Sequence, residues 1–249
     1  MLIEKFGISV AQFLGSGRLI EEADAEPILG LAADGFEADA ELHLERYRPL
    51  ARFVARRMEK RRIARPYVVE MGPGPGIWAA EAAKLMPGAV IDCFDLSPDM
   101  VEKANRRFKV QGFSHRVAAY YQDMRGVHQE TGAKADMVFS RNMLHRLPDL
   151  YQALLAMLYA ANNQGEVFVT CFLRVAQQDS AGQRRFWENV ASKADFPELQ
   201  LAYVQAHVFA HSLEEYRQAA QAVARVASAR FQIWTGGNNE VYLHFLKGG

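Results

Sequence analysis

The chain has 249 residues, half of them apolar, and its 29 Lys and Arg balance its 29 Asp and Glu to a formal net charge of zero. This apolar content supports a substantial core and argues against disorder, while the neutral charge argues against a dedicated nucleic-acid binder. The longest nearly apolar stretch, residues 150–161, is shorter than a membrane span, and the first residues lack a secretory leader. The sequence therefore predicts a cytoplasmic, soluble protein with no membrane partner.

The first 65 residues divide into an acidic part and a basic part. Residues 1–45 contain ten acidic and two basic residues, whereas residues 46–65 contain nine basic residues and the single acid Glu59. Apolar residues at helical spacing predict an amphipathic helix whose other face carries the arginines. These apolar residues are Leu42, Tyr47, Leu50, Val54 and Met58. We interpret the basic face as solvated and partly paired with the acidic residues; a surface for RNA or an acidic partner is the alternative.

Beyond Pro66, apolar runs alternate with helical patterns. The predicted strands are Tyr67 to Met71, Ala89 to Phe94, Arg116 to Tyr121, Ala135 to Ser140 and Glu166 to Phe172. The predicted helices are Ile77 to Met86, Pro98 to Val110 and Leu150 to Ala161. Such alternation predicts a mostly parallel sheet with helices on both faces and a ligand crevice at the carboxyl ends of the strands. Cys93 and Cys171 lie inside these apolar runs, where we expect core residues.

The end of the chain departs from this alternation. A helical pattern at 212–226 precedes two strands, 230–235 and 240–245, which are joined by a Gly-Gly-Asn-Asn turn typical of a hairpin. The whole pattern predicts an α/β, Rossmann-like, doubly wound, mostly parallel seven-stranded sheet with an antiparallel C-terminal strand. We assign residues 1–65 to a helical extension that caps the site or mediates a homodimer. Residues 66–249 form the main domain, with a lid-like insert at 173–211.

A glycine-rich turn follows the first predicted strand. Its glycines are Gly72, Gly74 and Gly76. Because glycine has no Cβ, the backbone can approach a ligand there, and Asp95 at the end of the second strand can accept hydrogen bonds from ribose hydroxyls. Residues 74–79 also match the dinucleotide fingerprint, which keeps a nicotinamide-dependent oxidoreductase as an alternative. Glu70, directly before the turn, would repel a diphosphate and favours a cationic ligand.

Four motifs follow one another from this turn onward. They are Glu70 to Gly76, Phe94 to Met100, Gln122 to Met124 and Asp136 to His145. In this order and spacing they resemble the motif set of class I S-adenosylmethionine-dependent methyltransferases, over residues 66–172, and the closing hairpin resembles the last strands of that family. The resemblance implies methyl transfer, with S-adenosylmethionine as cofactor and S-adenosylhomocysteine as product.

The resemblance also implies roles for individual residues. The methionine part of the cofactor would contact Glu70 and the backbone at Gly72, Gly74 and Gly76. The nucleoside would contact Asp95 through the ribose, Leu96, Met100 and Met124 around the adenine, and Asp123 through the adenine amino group. The site would be closed near the sulfonium by Ser140, Arg141 or Asn142. Apart from the resemblance, Tyr47 and Arg48 of the N-terminal segment are expected to reach the cofactor carboxylate if their helix caps the site.

The candidate general base is His145, which follows the fourth predicted strand. A base is needed for a poorly acidic hydroxyl acceptor and is dispensable for an amine or a phenolate. In the small-molecule O-methyltransferases that this stretch resembles, an acid commonly follows the histidine, whereas this chain has Arg146. A structural role for His145 is therefore the alternative.

The acceptor is predicted to be a small, largely apolar organic molecule, with O-methylation favoured. The chain lacks the Asn/Asp-Pro-Pro-Tyr/Phe box of nucleic-acid amino-methyltransferases after the fourth strand. Asn142 alone does not make a carboxylate metal cluster, so no metal is expected. Two alternatives remain within this fold: an RNA-modifying enzyme that uses the basic helix, and a methyltransferase-like binding protein without turnover.

Overall fold

The computed structural model describes residues 33–127, 134–147, 149–173, 211–236 and 240–248. The helices are α1 (Ala33–Leu42), α2 (Arg48–Lys60), α3 (Ile77–Leu85), α4 (Pro98–Val110), α5 (Leu150–Ala160) and α6 (Leu213–Val226). The strands are β1 (Tyr67–Met71), β2 (Val90–Asp95), β3 (Val117–Tyr121), β4 (Ala135–Arg141), β5 (Ala161–Phe172), β6 (Ala229–Thr235) and β7 (Glu240–Lys247). Among these residues, no helix is long and apolar enough to cross a membrane.

The described strands form one seven-stranded sheet in the order β3-β2-β1-β4-β5-β7-β6. The neighbours from β3 to β5 are parallel, whereas β7 runs antiparallel to both β5 and β6. The strand order reverses between β1 and β4, and a crevice forms at such a point beyond the carboxyl ends of the strands. We call this side of the sheet the carboxyl edge. The predicted fold class is confirmed.

Helices cover both faces of the sheet because the strands carry apolar side chains on both sides. Val68 packs with α2, α3 and α4, whereas its neighbour Val69 packs with α5 and α6. The two cysteines divide in the same way, since Cys93 is buried on the first face and Cys171 on the second. Both are free thiols in the core, as the sequence predicted.

The N-terminal helix differs from the prediction at its start. Leu42 was expected on the apolar face of that helix, but 59% of its surface is exposed. The reason is that α1 ends at Leu42 and a 3-10 turn, Leu44–Arg46, follows. Pro49 lies in the first turn of α2, where its missing N–H costs no hydrogen bond, so a new helix begins. Val54 and Met58 are buried as predicted.

Two arginines of α2, and Arg61 directly after it, pair with the sheet and α3 rather than with the acidic residues before them. The Arg57 guanidinium donates two hydrogen bonds of 2.8 Å to the buried carboxylate of Glu166. Arg61 donates to the Asp136 carbonyl at 2.9 Å, and Arg48 pairs with Glu81. These contacts hold α2 against the sheet.

Strand β5 starts five residues earlier than predicted, at Ala161 instead of Glu166. Ala161 pairs with Ala135 of β4, after which the register shifts. The Asn162 side chain donates to the Asp136 carboxylate at 2.8 Å, and this bond stabilises the irregular start. Residues 1–32 and the insert from 174 to 210 lie outside the described residues.

Candidate active site

The glycine turn and the end of β2 meet at the carboxyl edge. The backbone N–H of Gly74 donates to Asp95 Oδ2 at 3.1 Å, and the N–H of Ser97 donates to Asp95 Oδ1 at 2.9 Å. A carboxylate can accept about four hydrogen bonds, so its oxygens can serve ribose hydroxyls as well as backbone amides. The structure therefore brings together the acid and the turn that the sequence predicted as neighbours.

The three glycines of the turn all have positive φ, at 70° for Gly72, 53° for Gly74 and 75° for Gly76, so each position is strained for other residues. Their surroundings differ. A Cβ at Gly76 would lie 2.8 Å from Phe108, and one at Gly72 would lie 2.6 Å from Met143. A Cβ at Gly74 would meet nothing within 4 Å. The turn is thus packed on both sides of Gly74 and open above it, as a ligand cradle requires.

Glu70 lies at the carboxyl edge of β1 and is 2% exposed. The Cys93 thiol donates to its Oε2 at 3.8 Å. Burial raises the pKa of Glu70 to about 8, and the nearby charge of Asp95 adds to the rise. Arg141 acts in the opposite direction but forms no ion pair with Glu70 in the described residues. A cation placed here would favour the ionised form of this carboxyl.

The residues predicted to surround the adenine lie around the end of β2 and the segment after β3. Met100 and Met124 are buried, whereas Leu96 is 45% exposed beside Asp95. Asp123 accepts hydrogen bonds from the Arg125 side chain, and these bonds lower its pKa. Asp123 is therefore held by a neighbour in this structure, and its predicted role with the adenine stays a prediction.

Three residues at the end of β4 were predicted to close the site. Ser140 is buried and donates through Oγ to the Met71 carbonyl at 2.8 Å, so it ties β4 to β1. Asn142 has a positive φ of 52° and donates its N–H to the Thr170 carbonyl. The Arg141 guanidinium lies over the ring of Tyr47, with 4.5 Å between its carbon and the ring centroid. Only Arg141 presents a charged group at this edge of β4.

His145, the candidate base, is 1% exposed. It lies in a 3-10 turn after β4, with Nδ1 3.3 Å from the Cys171 sulfur and its backbone N–H donating to the same sulfur at 3.2 Å. Its ring centroid lies 5.6 Å from that of Phe172. Cys171 packs on the α5 and α6 face, opposite Glu70 and Arg141. This packing is what a structural histidine requires, and catalysis by His145 stays a prediction.

The sequence reasoning did not single out Thr170, Tyr242 or Trp234. Strand register places them in a row that starts at Arg141, because Arg141 pairs with Thr170, Thr170 with Tyr242, and Tyr242 with Trp234. The available signal was the alternation of side chains along each strand. This alternation predicts which side chains lie together only when the register of β4, β5, β7 and β6 is also known. In the described part of the chain, no three His, Cys, Asp or Glu residues are grouped to hold a metal ion.

Residues 68–165 match the family model described as a methyltransferase domain. A curated relative, the malonyl-[acyl-carrier protein] O-methyltransferase of Legionella pneumophila subsp. pneumophila, is 31% identical over 113 residues, which is 45% of this chain and 37% of the relative. The chain therefore spans little more than a third of that relative's length.

Similar solved structures cover more of the chain. The plantazolicin methyltransferase BamL, in complex with a triazolic desmethylPZN analog and SAH, has a TM-score of 0.68 at 12% identity, over 92% of this chain and 97% of BamL. The plantazolicin methyltransferase BpumL, in complex with a pentazolic analog and SAH, has a TM-score of 0.67 at 13% identity, over 92% and 99%. At such identities the similarity shows the fold alone.

The family model thus matches the part of the chain in which the motifs predict a methyltransferase domain. The sheet, with its strand order and antiparallel β7, matches the Rossmann-like fold of these methyltransferase structures.

Proposed function

We propose that this protein is an S-adenosylmethionine-dependent methyltransferase that methylates a small, largely apolar organic acceptor, with oxygen as the favoured atom. One observation carries the proposal: Gly74 donates its N–H to Asp95 at 3.1 Å, beneath space that is open above Gly74. An acid next to an open glycine turn suits a nucleoside whose ribose meets the acid. The curated O-methyltransferase relative supports the choice of oxygen.

The residues present suit this cofactor. Asp95 would bind the ribose, and the exposed Leu96 would lie along the adenine. Glu70 is a buried carboxyl without a described cation in hydrogen-bond contact, which suits a positively charged ligand and disfavours a diphosphate. The open position at Gly74 admits the ligand beside the backbone.

When bound, the cofactor supplies a methyl group activated on a sulfonium. The work of the chain is to hold the acceptor in line with that methyl group and to exclude water. The turn and Asp95 fix the nucleoside through rigid elements, because both lie at strand ends anchored in the sheet. The end of β4 would then orient the acceptor.

The cofactor assignment is tested by titration calorimetry with S-adenosylhomocysteine. The wild type should bind it, and Asp95→Ala should weaken Kd by about 10- to 100-fold, since hydrogen bonds to a charged group contribute about 1.5–3 kcal/mol. Asp99→Ala is the matched control, because Asp99 is an exposed acid one turn away in α4. Absence of binding in the wild type, or equal loss in both variants, would contradict the proposal.

The role of His145 is tested separately. His145→Ala should lower kcat by about 100-fold or more if the imidazole is a general base, with cofactor affinity unchanged. If its role is structural, the same variant should lower the free energy of unfolding and spare kcat in the fraction that remains folded. A homodimer, the division at residue 65 and a cytoplasmic location stay predictions.

A further inference from the structure

Four side chains form a line across the carboxyl edge, on the face that α2 covers. They are Arg141 of β4, Thr170 of β5, Tyr242 of β7 and Trp234 of β6, each paired in register with the next. We call them the cross-strand row. Directly paired residues on neighbouring strands point to the same side of a sheet, so these side chains share one surface. The row begins beside β1 and runs away from Asp95.

Arg141 differs from the other partly buried arginines. Arg57 is held by Glu166, Arg107 by Glu37, and Arg116 by three backbone carbonyls. In the described residues, the Arg141 guanidinium carbon lies over the Tyr47 ring, 4.5 Å from its centroid, and its N–H groups form no hydrogen bond. A guanidinium whose N–H groups have no protein acceptor can bind a carboxylate with two parallel hydrogen bonds.

Two acids near the carboxyl edge, Glu70 and Glu240, form no ion pair with Arg141 in the described part of the chain. Burial keeps the pKa of Glu70 raised to about 8. Glu240 is engaged elsewhere, because it accepts the hydroxyl hydrogen bond of Tyr242 at 2.6 Å. A positive charge therefore remains at the carboxyl edge for a ligand.

The rest of the row adds a hydroxyl and an aromatic surface. Thr170 is 1% exposed, and its Oγ1 has no hydrogen-bond partner in the described part of the chain. The rings of Trp234 and Tyr242 are nearly parallel, 5.5 Å apart with 5° between their planes, and Trp234 is 40% exposed. A buried hydroxyl that lacks a partner is costly unless a ligand supplies one, and parallel rings offer a flat apolar surface.

The position of the row decides which ligand it faces. The turn and Asp95 occupy the β1-β2 side of the crevice, whereas the row lies on β4, β5, β7 and β6, on the other side of β1. We propose that the cross-strand row is the acceptor site, and that Arg141, held by Tyr47, binds a carboxylate on an aromatic acceptor. This inference rests on the proposed methyltransferase function and gives its acceptor a chemical class.

The test compares a carboxylate with its neutral isostere. Binding of 3-phenylpropanoate and 3-phenylpropanamide is measured by calorimetry or ligand-detected NMR, on protein saturated with S-adenosylhomocysteine. In the wild type the acid should bind about 10-fold or more tightly than the amide, and Arg141→Met should abolish that preference. Arg141→Lys should keep part of it, because a lysine retains the charge without the planar fork. Arg52→Met is the control, since Arg52 lies on the exposed side of α2.

Three results would overturn the inference. The wild type could bind acid and amide equally, or Arg141→Met could keep the preference. Alternatively, Arg141→Met could weaken binding of S-adenosylhomocysteine by about 10-fold or more. Arg141 would then bind the carboxylate of the cofactor and not that of the acceptor. Failure of the proposed function is seen separately, as absence of S-adenosylhomocysteine binding in the wild type. The acid and amide comparison on ligand-free protein would then still report on Arg141.

Discussion

Two glutamates are buried on the same face of the sheet, and in the described part of the chain only Glu166 accepts hydrogen bonds from an arginine. Glu166 lies toward the amino ends of the strands; burial disfavours its charge, yet hydrogen bonds from His244 at 2.6 Å and Arg57 at 2.8 Å lower its pKa to about 2. Glu70 lies at the carboxyl edge, and burial raises its pKa to about 8. The protein itself therefore supplies the positive charge that pairs with Glu166, whereas a positive charge beside Glu70 would have to come from a ligand.

The largest loss of stability should come from removing one partner of the ion pair between Arg57 and Glu166. Glu166→Ala should lower the free energy of unfolding by about 3–5 kcal/mol, because it leaves the Arg57 charge partly buried and unmatched. Chemical denaturation at pH 7 measures this loss. The double variant Arg57→Met/Glu166→Met removes both charges and should lose much less. A loss below about 1 kcal/mol for the single variant would mean that the pair behaves like a surface ion pair.

The pH dependence of stability should separate the two glutamates. The folded protein holds the Glu70 proton up to about pH 8, whereas the unfolded chain releases it near its ordinary pKa of about 4.3. Stability from this group is therefore complete below pH 4 and declines as the pH rises toward 8, by on the order of 3 kcal/mol at pH 7. Glu70→Gln should remove this decline in ligand-free protein, as followed by denaturation from pH 4 to 8. An unchanged decline would show that Glu70 ionises normally.

Glu166 should give the opposite slope when the same denaturation series is extended from pH 4 down to pH 2. Its folded pKa of about 2 lies below that of the unfolded chain, so its contribution is complete above about pH 5 and is lost as the pH falls toward 2. The two slopes occupy different pH ranges, so one series of measurements can resolve both.

Alanine substitutions in the glycine turn compare a packed position, Gly76, with an open one, Gly74. Gly76→Ala should lower the free energy of unfolding by at least about 2 kcal/mol, because the strain of a positive φ adds to the clash with Phe108. Gly74→Ala has the strain without the clash and should cost about 1–2 kcal/mol. If Gly74 lies against the cofactor, its variant should also weaken S-adenosylhomocysteine binding beyond any stability effect. Normal affinity in Gly74→Ala would place the cofactor elsewhere.

Contacts between residues close in sequence could be predicted, whereas contacts between residues far apart in sequence could not. The turn, Asp95 and the strand order could be predicted, because each depends on a local motif or on the alternation of strands and helices. The pairing of Arg57 with Glu166 spans 109 residues and has no local signal. The cross-strand row was equally hidden, because its register depends on an antiparallel β7 and on a β5 that begins irregularly at Ala161.

The smallest effect on stability and cofactor binding is expected from Arg48, because this residue at the start of α2 already pairs with Glu81. Arg48 was predicted to reach the cofactor carboxylate, but it donates to Glu81 at 3.0 Å and its side chain is 50% exposed. Arg48→Met should therefore lower the free energy of unfolding by less than about 1 kcal/mol. Its affinity for S-adenosylhomocysteine should equal that of the wild type, as measured by calorimetry. A loss of affinity in Arg48→Met beyond its effect on stability would mean that the Glu81 pair opens and that Arg48 binds the cofactor carboxylate, as the sequence predicted.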